Sequence, residues 1–427
     1  MDSLPPAAGP DLPGLRPAPH RHLCTDCGVS RMENPKACAR ACQFIAPDYA
    51  AAEARAHGRA RDPARPDELH FGPFRAMWRA RLKAPLPGAQ WSGITTRLAE
   101  RLLETGAVEA VLTVAPDPAD RWRPVPVLVT RAEDLARCRG MRMGYAPLLA
   151  LLEPARAAGY RRIAVIGIPC QVYALRALEA GLGFKRIYVI GTPCSDNTST
   201  ENFHRFLDLL DERPDEITYL EFRADFRVEL RYRDGRRREI PFLQLPISQL
   251  PPDFFPMTCR SCVDYTNALA DITVGYMGGE GRQWILVRNA RGEEILGLLE
   301  AELELSRPGS AGNRAGPVKG FLENTRRAAG GLPLRRMPAW LRPIMGWLMP
   351  RLGPKGLEFA RARVEMKAVE SILHLERAEP ARAKRMIPAH VRELARPYGL
   401  GAPAAGEGAP PRGWAPRPPP DQLASRK

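Results

Sequence analysis

The sequence predicts an α/β protein: a mostly parallel sheet flanked by helices, with an antiparallel excursion, a loop-like cysteine segment before it and a helical region after it. Three observations carry this. Short Val/Ile-rich runs alternate with stretches whose apolar residues recur at helical spacing. One segment alternates strictly around a turn dipeptide. The end of the chain shows helical periodicity with an excess of Arg.

The elements follow in order. Leu98, Leu102 and Leu103 place a helix over Thr95–Thr105, and VEAVLTV places a strand over Val108–Val114. IAVIGI at Ile163–Ile168 reads as a buried strand, followed by a helix at Gln171–Ala180. IYVI at Ile187–Ile190 is a third strand, followed by a helix at Glu201–Leu210. Such βαβ alternation implies parallel strands with helices on their faces. Residues 217–242 then alternate as a hairpin would, with Asp234-Gly235 at the turn. A helix is expected at Glu293–Leu303, a Gly-rich break at Gly309–Gly316, and basic helices onward to about Pro397. The expected organisation is a disordered leader over 1–20, a cysteine segment over 21–75, an α/β core over 76–310, a basic helical region over 311–400 and a disordered Pro-rich tail over 401–427.

Composition narrows the class. The chain has 427 residues, 44% of them hydrophobic, enough to bury a real core. The absence of an 18-residue apolar run argues against a membrane span. The Pro-rich start lacks a basic and then apolar signal, so a cytoplasmic location is expected. There, structural disulfides are rare, and nine cysteines need another role.

Eight of them form two sets. Cys24, Cys27, Cys38 and Cys42 fall within 19 residues of a loop-like stretch. Four thiolates at this spacing suit an iron–sulfur cluster or a structural zinc. Cys170 and Cys194 end successive strands in matched Gly-x-Pro-Cys sequences, and Cys259 and Cys262 form a CxxC. Ligands bind beyond the carboxyl ends of parallel strands, where both strand-borne cysteines fall. Cys138 has no partners in sequence and reads as a plain thiol. Gln90-Trp-Ser92-Gly93-Ile-Thr95-Thr96 sets small hydroxyl residues and Gly at a helix start, which could seat a phosphate or serve as an ordinary cap. Gly275–Gly281 holds four glycines, which suit close approach to a ligand or a flexible loop. His20 and His22 precede the first set. His204 and Tyr276 are candidate proton donors. Among the seven histidines none forms a paired metal motif.

The run Cys259-Arg-Ser-Cys262-Val-Asp-Tyr-Thr-Asn-Ala-Leu-Ala-Asp-Ile-Thr-Val-Gly275-Tyr276 resembles the signature of the deazaflavin-reducing hydrogenase β-subunit family, as does Gly167-Ile-Pro-Cys170-Gln. Gly191-Thr-Pro-Cys-Ser-Asp-Asn197, Thr200-Glu-Asn-Phe203 and Gly353–Arg361 resemble its chlorophyll branch, the ferredoxin-dependent divinyl chlorophyllide 8-vinyl reductases and 7-hydroxymethyl chlorophyll a reductases. The resemblance spans about 21–395. It implies FAD and two [4Fe–4S] clusters, one on Cys170, Cys194, Cys259 and Cys262, the other on Cys24, Cys27, Cys38 and Cys42. Ser30 stands where the branch tends to carry a cysteine, so Cys38 would substitute. It further implies that Gln90, Ser92, Gly93, Thr95 and Thr96 contact FAD. Ferredoxin would be the donor, and the C8-vinyl group of divinyl chlorophyllide or protochlorophyllide the acceptor. A 7-hydroxymethyl substrate, or an electron-relay β subunit of a larger complex, are the alternatives.

The net charge of +15 is uneven: 21 basic and 9 acidic residues lie between Pro317 and Lys427. Aromatics are 7% of the chain, the excess is far from the cysteines, and no nucleic-acid reading motif occurs. No nucleic-acid partner is therefore expected. The basic region, with Trp-bearing Met337–Gly353, is instead read as a solvated face, a docking surface for acidic ferredoxin, or a peripheral membrane contact.

Overall fold

A computed structural model describes residues 24–400 except 46, 224–225, 278–281 and 333–336. The expected leader (1–20) and tail (401–427), with His20 and His22, lie outside the described residues. So does 278–281 of the Gly-rich run.

Eleven strands position the site: β1 (Ala76–Leu82), β2 (Ala110–Asp117), β3 (Asp120–Val129), β4 (Arg162–Gly167), β5 (Arg186–Gly191), β6 (Ile217–Phe222), β7 (Arg227–Tyr232), β8 (Arg237–Pro241), β9 (Ile272–Gly275), β10 (Gln283–Val287) and β11 (Leu303–Ser306). Eight form one sheet in the order β11-β1-β10-β9-β5-β4-β2-β3. Its centre, β9-β5-β4-β2, is parallel, as the βαβ alternation requires. Antiparallel strands extend both edges. The excursion is a separate antiparallel sheet, β6-β7-β8. Asp234 and Gly235 turn it, with Gly235 at φ +85°.

Several elements differ from expectation. The helix predicted over Glu293–Leu303 runs Ala290–Gly297 instead, and Leu303 opens β11 opposite Leu82. Strands β1, β9, β10 and β11 were not expected, nor was β3, whose Pro124 and Pro126 lack the donors a ladder needs. β3 is an edge strand, where proline is tolerated.

Alternating residues of the parallel centre bury against opposite layers. Leu112, Val165 and Val189 pack with Leu148, Leu152, Val172 and Leu175 on one face. Val111, Ala164 and Ile190 pack with Leu98, Leu102 and Ile295 on the other. Each fully buried Leu, Ile or Val contributes roughly 2 kcal/mol. A third apolar cluster joins Phe44, Phe71, Met77, Trp284 and Leu286 to Val364, Val369, Ile372 and Leu375 of the helix Leu357–Ala378. Part of the basic C-terminal region is thus built into the core.

Candidate functional site

The second cysteine set is assembled by the ends of two parallel strands and one crossover. The chain leaves β4 through Ile168 into the helix Pro169–Leu178, with proline at its first position. Gln171 Oε1 accepts from the Ile168 N–H at 3.2 Å, and Gln171 Nε2 donates to Ala146 O at 3.0 Å. These bonds fix the loop that carries Cys170. Beyond β5, the Cys194 N–H donates to Tyr265 O at 3.0 Å. Gly275 is required beside this loop, since a Cβ there would sit 2.3 Å from Pro193 Cδ. Cys259 lies on the short helix Met257–Arg260, and the Cys262 N–H donates to Cys259 O at 3.1 Å.

All four cysteines line one pocket, together with Thr25, Phe44, Ile168, Pro169, Ser195, Asp196 and Asn197. Burial pushes the Cys259 thiol up to about 12 and Cys262 to about 11. Burial raises Cys170 and Cys194 as well. Four soft sulfur donors around one pocket are a set that a cationic iron–sulfur group would deprotonate on binding.

The signature run after Cys262 serves as scaffold. Asn267 Nδ2 donates to Gly167 O at 2.8 Å and to Thr192 O at 3.2 Å, joining the carboxyl ends of β4 and β5. Asp271, fully buried, accepts from Arg176 Nη2 at 2.7 Å, Arg291 Nε at 2.8 Å and the Val189 N–H at 2.7 Å. Those cations hold its carboxyl below the usual range against the opposing effect of burial.

Helix Leu357–Ala378 covers this site. Buried Lys367 pairs with Asp196 at 2.8 Å and Glu370 at 2.9 Å. Arg363 donates to Ser195, and Ser371 Oγ donates to Cys262 O at 2.8 Å. Sequence reasoning missed these residues; they share a helical face, but nothing in sequence says what that face covers.

The first set lies alongside. Burial raises Cys27, and Cys170, Cys42 and Cys38 raise it further. Burial pushes Cys42 up to about 11, and Cys38 and Cys24 add to it. Cys38 is raised by burial and by Cys24. Cys38 is thus close enough for its charge to act on the other thiols, whereas Ser30 is exposed. Two side chains from this segment reach the second set: Thr25 Oγ1 donates to Cys170 Sγ at 3.5 Å, and Gln43 Nε2 to Cys262 Sγ at 3.7 Å. Tyr49 OH donates to Gln43 Oε1 at 2.6 Å, which orients that amide. The positions of Thr25 and Gln43 beside cysteines were the available signal. Among the described residues, no group of three or more His, Cys, Asp or Glu is arranged to hold a single metal ion. Cys138 packs at the edge of the core, pushed up to about 11 by burial.

Residues Gln90–Thr96 run into the helix Ile94–Glu104. Its start has no side-chain cap, and Gly93 stands there at φ +92°, where a Cβ would press on Leu86 at 2.9 Å. Uncapped N–H groups and a glycine fit a phosphate. Ser92 fits less well, because its hydroxyl accepts from the Leu82 N–H and donates to Gln283 Oε1, both at 3.1 Å. Gln90, Thr95 and Thr96 are half-buried. Trp91 stacks on Tyr276 with centroids 5.1 Å apart, and Tyr276 in turn meets Phe359. His204 Nε2 contacts Asp120 Oδ2 at 2.9 Å.

Two family models match the chain: the coenzyme F420 hydrogenase/dehydrogenase β-subunit N-terminal model at 77–153 and its C-terminal model at 160–309. An uncharacterized protein of Nostoc sp. is 36% identical over 90% of this chain and 95% of its own length. The chain belongs to the coenzyme F420 hydrogenase/dehydrogenase β-subunit family. The chloroplastic 7-hydroxymethyl chlorophyll a reductase of Oryza sativa subsp. japonica is 35% identical over 89% of this chain and 83% of that protein. An F420H2 dehydrogenase subunit of Methanosarcina mazei is 29% identical over 51% of this chain and 61% of its own. The fold is shared with a chain of the F420-reducing [NiFe] hydrogenase complex from Methanosarcina barkeri, at TM-score 0.50 and 23% identity over 58% of this chain and 84% of that one. The second cysteine set falls inside the matched C-terminal region; the first lies outside both. Several of the relatives are named as oxidoreductases or as subunits of redox complexes.

Proposed function

We propose that the chain is a ferredoxin-dependent reductase of a chlorophyll-type tetrapyrrole, converting the C8-vinyl group of divinyl chlorophyllide or protochlorophyllide to ethyl. The supporting observation is the pair of adjoining four-cysteine sets, one lining a single pocket at the carboxyl ends of β4 and β5, in a chain with a chlorophyll reductase among its relatives. Cys170, Cys194, Cys259 and Cys262 would hold one [4Fe–4S] cluster, and Cys24, Cys27, Cys38 and Cys42 the other. Gly93 and the open start of the helix Ile94–Glu104 would seat a phosphate of FAD. Saturating a vinyl group takes two electrons and two protons, and a flavin fed by one-electron clusters supplies that pair.

The chain's own residues arrange this chemistry. Asn267 fixes the two loops that present Cys170 and Cys194. Phe44, Ile168 and Pro169 wall the pocket with apolar surface. Arg363 places positive charge beside it, Lys367 balances Asp196 and Glu370 at its edge, and Thr25 and Gln43 donate to two of its sulfurs.

A second reading, removal of a 7-hydroxymethyl oxygen as water with the same two electrons and two protons, is favoured by the identity to the rice reductase. A relay role inside a larger complex is the third, since other relatives are named as subunits. The test is anaerobic incubation of the reconstituted chain with reduced ferredoxin and, separately, divinyl and 7-hydroxymethyl substrates. An 8-ethyl product supports the proposal. A 7-methyl product alone selects the second reading, and turnover only with added partner subunits selects the third.

A further inference from the structure

The four most exposed large apolar side chains of the described residues fall within thirteen positions: Leu352 at 72%, Trp340 at 71%, Trp347 at 59% and Ile344 at 51%. They belong to the helix Leu341–Leu352 and the residue before it. Trp340, Ile344, Trp347 and Arg351 recur in steps of four, three and four, so they share one face. The Arg351 guanidinium lies 4.3 Å over the Trp347 ring, and its Nη1 donates to Trp347 O at 2.7 Å.

The opposite face is already occupied. Gly346 lies against the end of β8, with its Cβ direction 3.7 Å from Pro241 and 3.9 Å from Leu243. Leu341, Met345 and Leu348 are half-buried. Arg342 donates to Ser248 Oγ at 3.3 Å and to Met337 O at 3.1 Å. The helix is therefore seated on the protein with its Trp-bearing face outward.

We propose that this face lies on an anionic lipid surface. Charge selects the occupant. Between Asn324 and Leu357 the sequence has seven basic residues (Arg326, Arg327, Arg335, Arg336, Arg342, Arg351 and Lys355) and no acidic one; Arg327 pairs with Glu323 and Arg342 lies on the seated face, while Arg351 stands on the Trp-bearing face. A second copy of the chain would set this basic segment against itself. An acidic protein would match the charge, but not a stripe of two Trp and an Ile. Trp prefers the boundary between headgroups and acyl chains, and Arg beside it meets lipid phosphates. No helix among the described residues is long and apolar enough to cross a membrane, so the contact is in-plane. The inference does not depend on the reaction assigned to the chain.

The test is co-sedimentation of the full chain with vesicles of phosphatidylcholine alone or with about a third phosphatidylglycerol. The expected result is binding that requires the anionic lipid, weakens with salt, and falls at least tenfold in W340S/W347S. Both positions are exposed, and an unchanged thermal unfolding curve confirms the fold. I344E provides a second, independent disruption of the same face. Absence of vesicle binding, equal binding to both vesicle types, or full binding by folded W340S/W347S and I344E would overturn the proposal. Loss of affinity for an acidic ferredoxin in these variants, without vesicle binding by the parent chain, would assign the face to a protein instead.

Discussion

Asn267 holds Gly167: its Nδ2 donates to the Gly167 carbonyl at 2.8 Å, a hundred residues away in sequence. The same nitrogen reaches Thr192 O at 3.2 Å. Asn267 is fully buried and sits at φ +57°, a left-handed conformation that Asn tolerates better than most residues. One side chain thus ties together the loops that carry Cys170 and Cys194. Replacing it with Leu removes both bonds, leaves Gly167 O with the Thr192 N–H alone, takes this donor from Thr192 O and strains the backbone. Asn267→Leu is expected to lose about 3 kcal/mol of stability. Asn267→Gly, which relieves the strain but not the lost bonds, should lose less. Urea unfolding of the two variants checks the order.

Lys367 makes a second prediction. It is buried with Asp196 and Glu370 as its partners. Lys367→Met leaves two half-buried carboxylates without their shared cation and should destabilise by about 3 kcal/mol. Asp196→Asn added to it should restore part of the loss, because one stranded charge is removed. A double-mutant cycle by chemical denaturation reads this coupling. If the double variant is no more stable than Lys367→Met alone, the pair is not what holds this helix over the cysteines.

His57 sets a pH dependence. Its Nε2 is 2.8 Å from Ala268 O, and Asn289 Nδ2 approaches its Nδ1 at 3.2 Å, so a neutral ring with the proton on Nε2 satisfies both contacts. Burial lowers it from 6.5 to about 3, and the Arg288 and Arg176 charges add to this, while the Ala268 bond and Asp271 oppose it. The unfolded chain therefore binds a proton that the folded chain refuses between about pH 6.5 and 3. Its contribution is intact above pH 6.5 and is lost as pH falls through that window. At pH 4–6 the stability of the parent chain should fall more steeply than that of His57→Gln, by up to about 1.4 kcal/mol per pH unit. Equal slopes would show that His57 titrates normally in the fold.

Gln43 gives a fourth. If its amide donates to a cluster-bound Cys262 sulfur, removing that donor disfavours the more negative, reduced state. Gln43→Leu should lower the midpoint potential of one centre and leave the other unmoved, with iron content unchanged. Tyr49→Phe, which frees the amide orientation, should produce a smaller shift in the same direction. Redox titration followed by electron paramagnetic resonance separates the two centres. An unmoved potential in both variants would leave Gln43 with packing alone.

The parallel centre of the sheet was legible because β4 and β5 are buried on both faces, and continuous Val/Ile runs follow from that burial. The hairpin was legible through Asp234-Gly235. Strand β3 was not, since its prolines argue against a strand unless the edge position is known. The second cysteine set was legible because Cys170 and Cys194 stand at the carboxyl ends of adjacent strands, where topology forces convergence. The role of the helix Leu357–Ala378 was not. Its apolar spacing marks a helix, but Asp196 and Cys262, which Lys367 and Ser371 reach, lie more than a hundred residues away. The positive charge that read as an appended basic region is thereby partly interior, while Trp340–Leu352 keeps its apolar face open.

Two separate four-cysteine centres are the central claim, and iron counting tests it most directly. The anaerobically reconstituted chain should hold about eight irons. Changing Cys259 and Cys262 to Ala, or Cys24 and Cys27 to Ala, should each leave about four, with the remaining centre spectroscopically intact. A chain that instead holds zinc, or that keeps eight irons in either double variant, would contradict it.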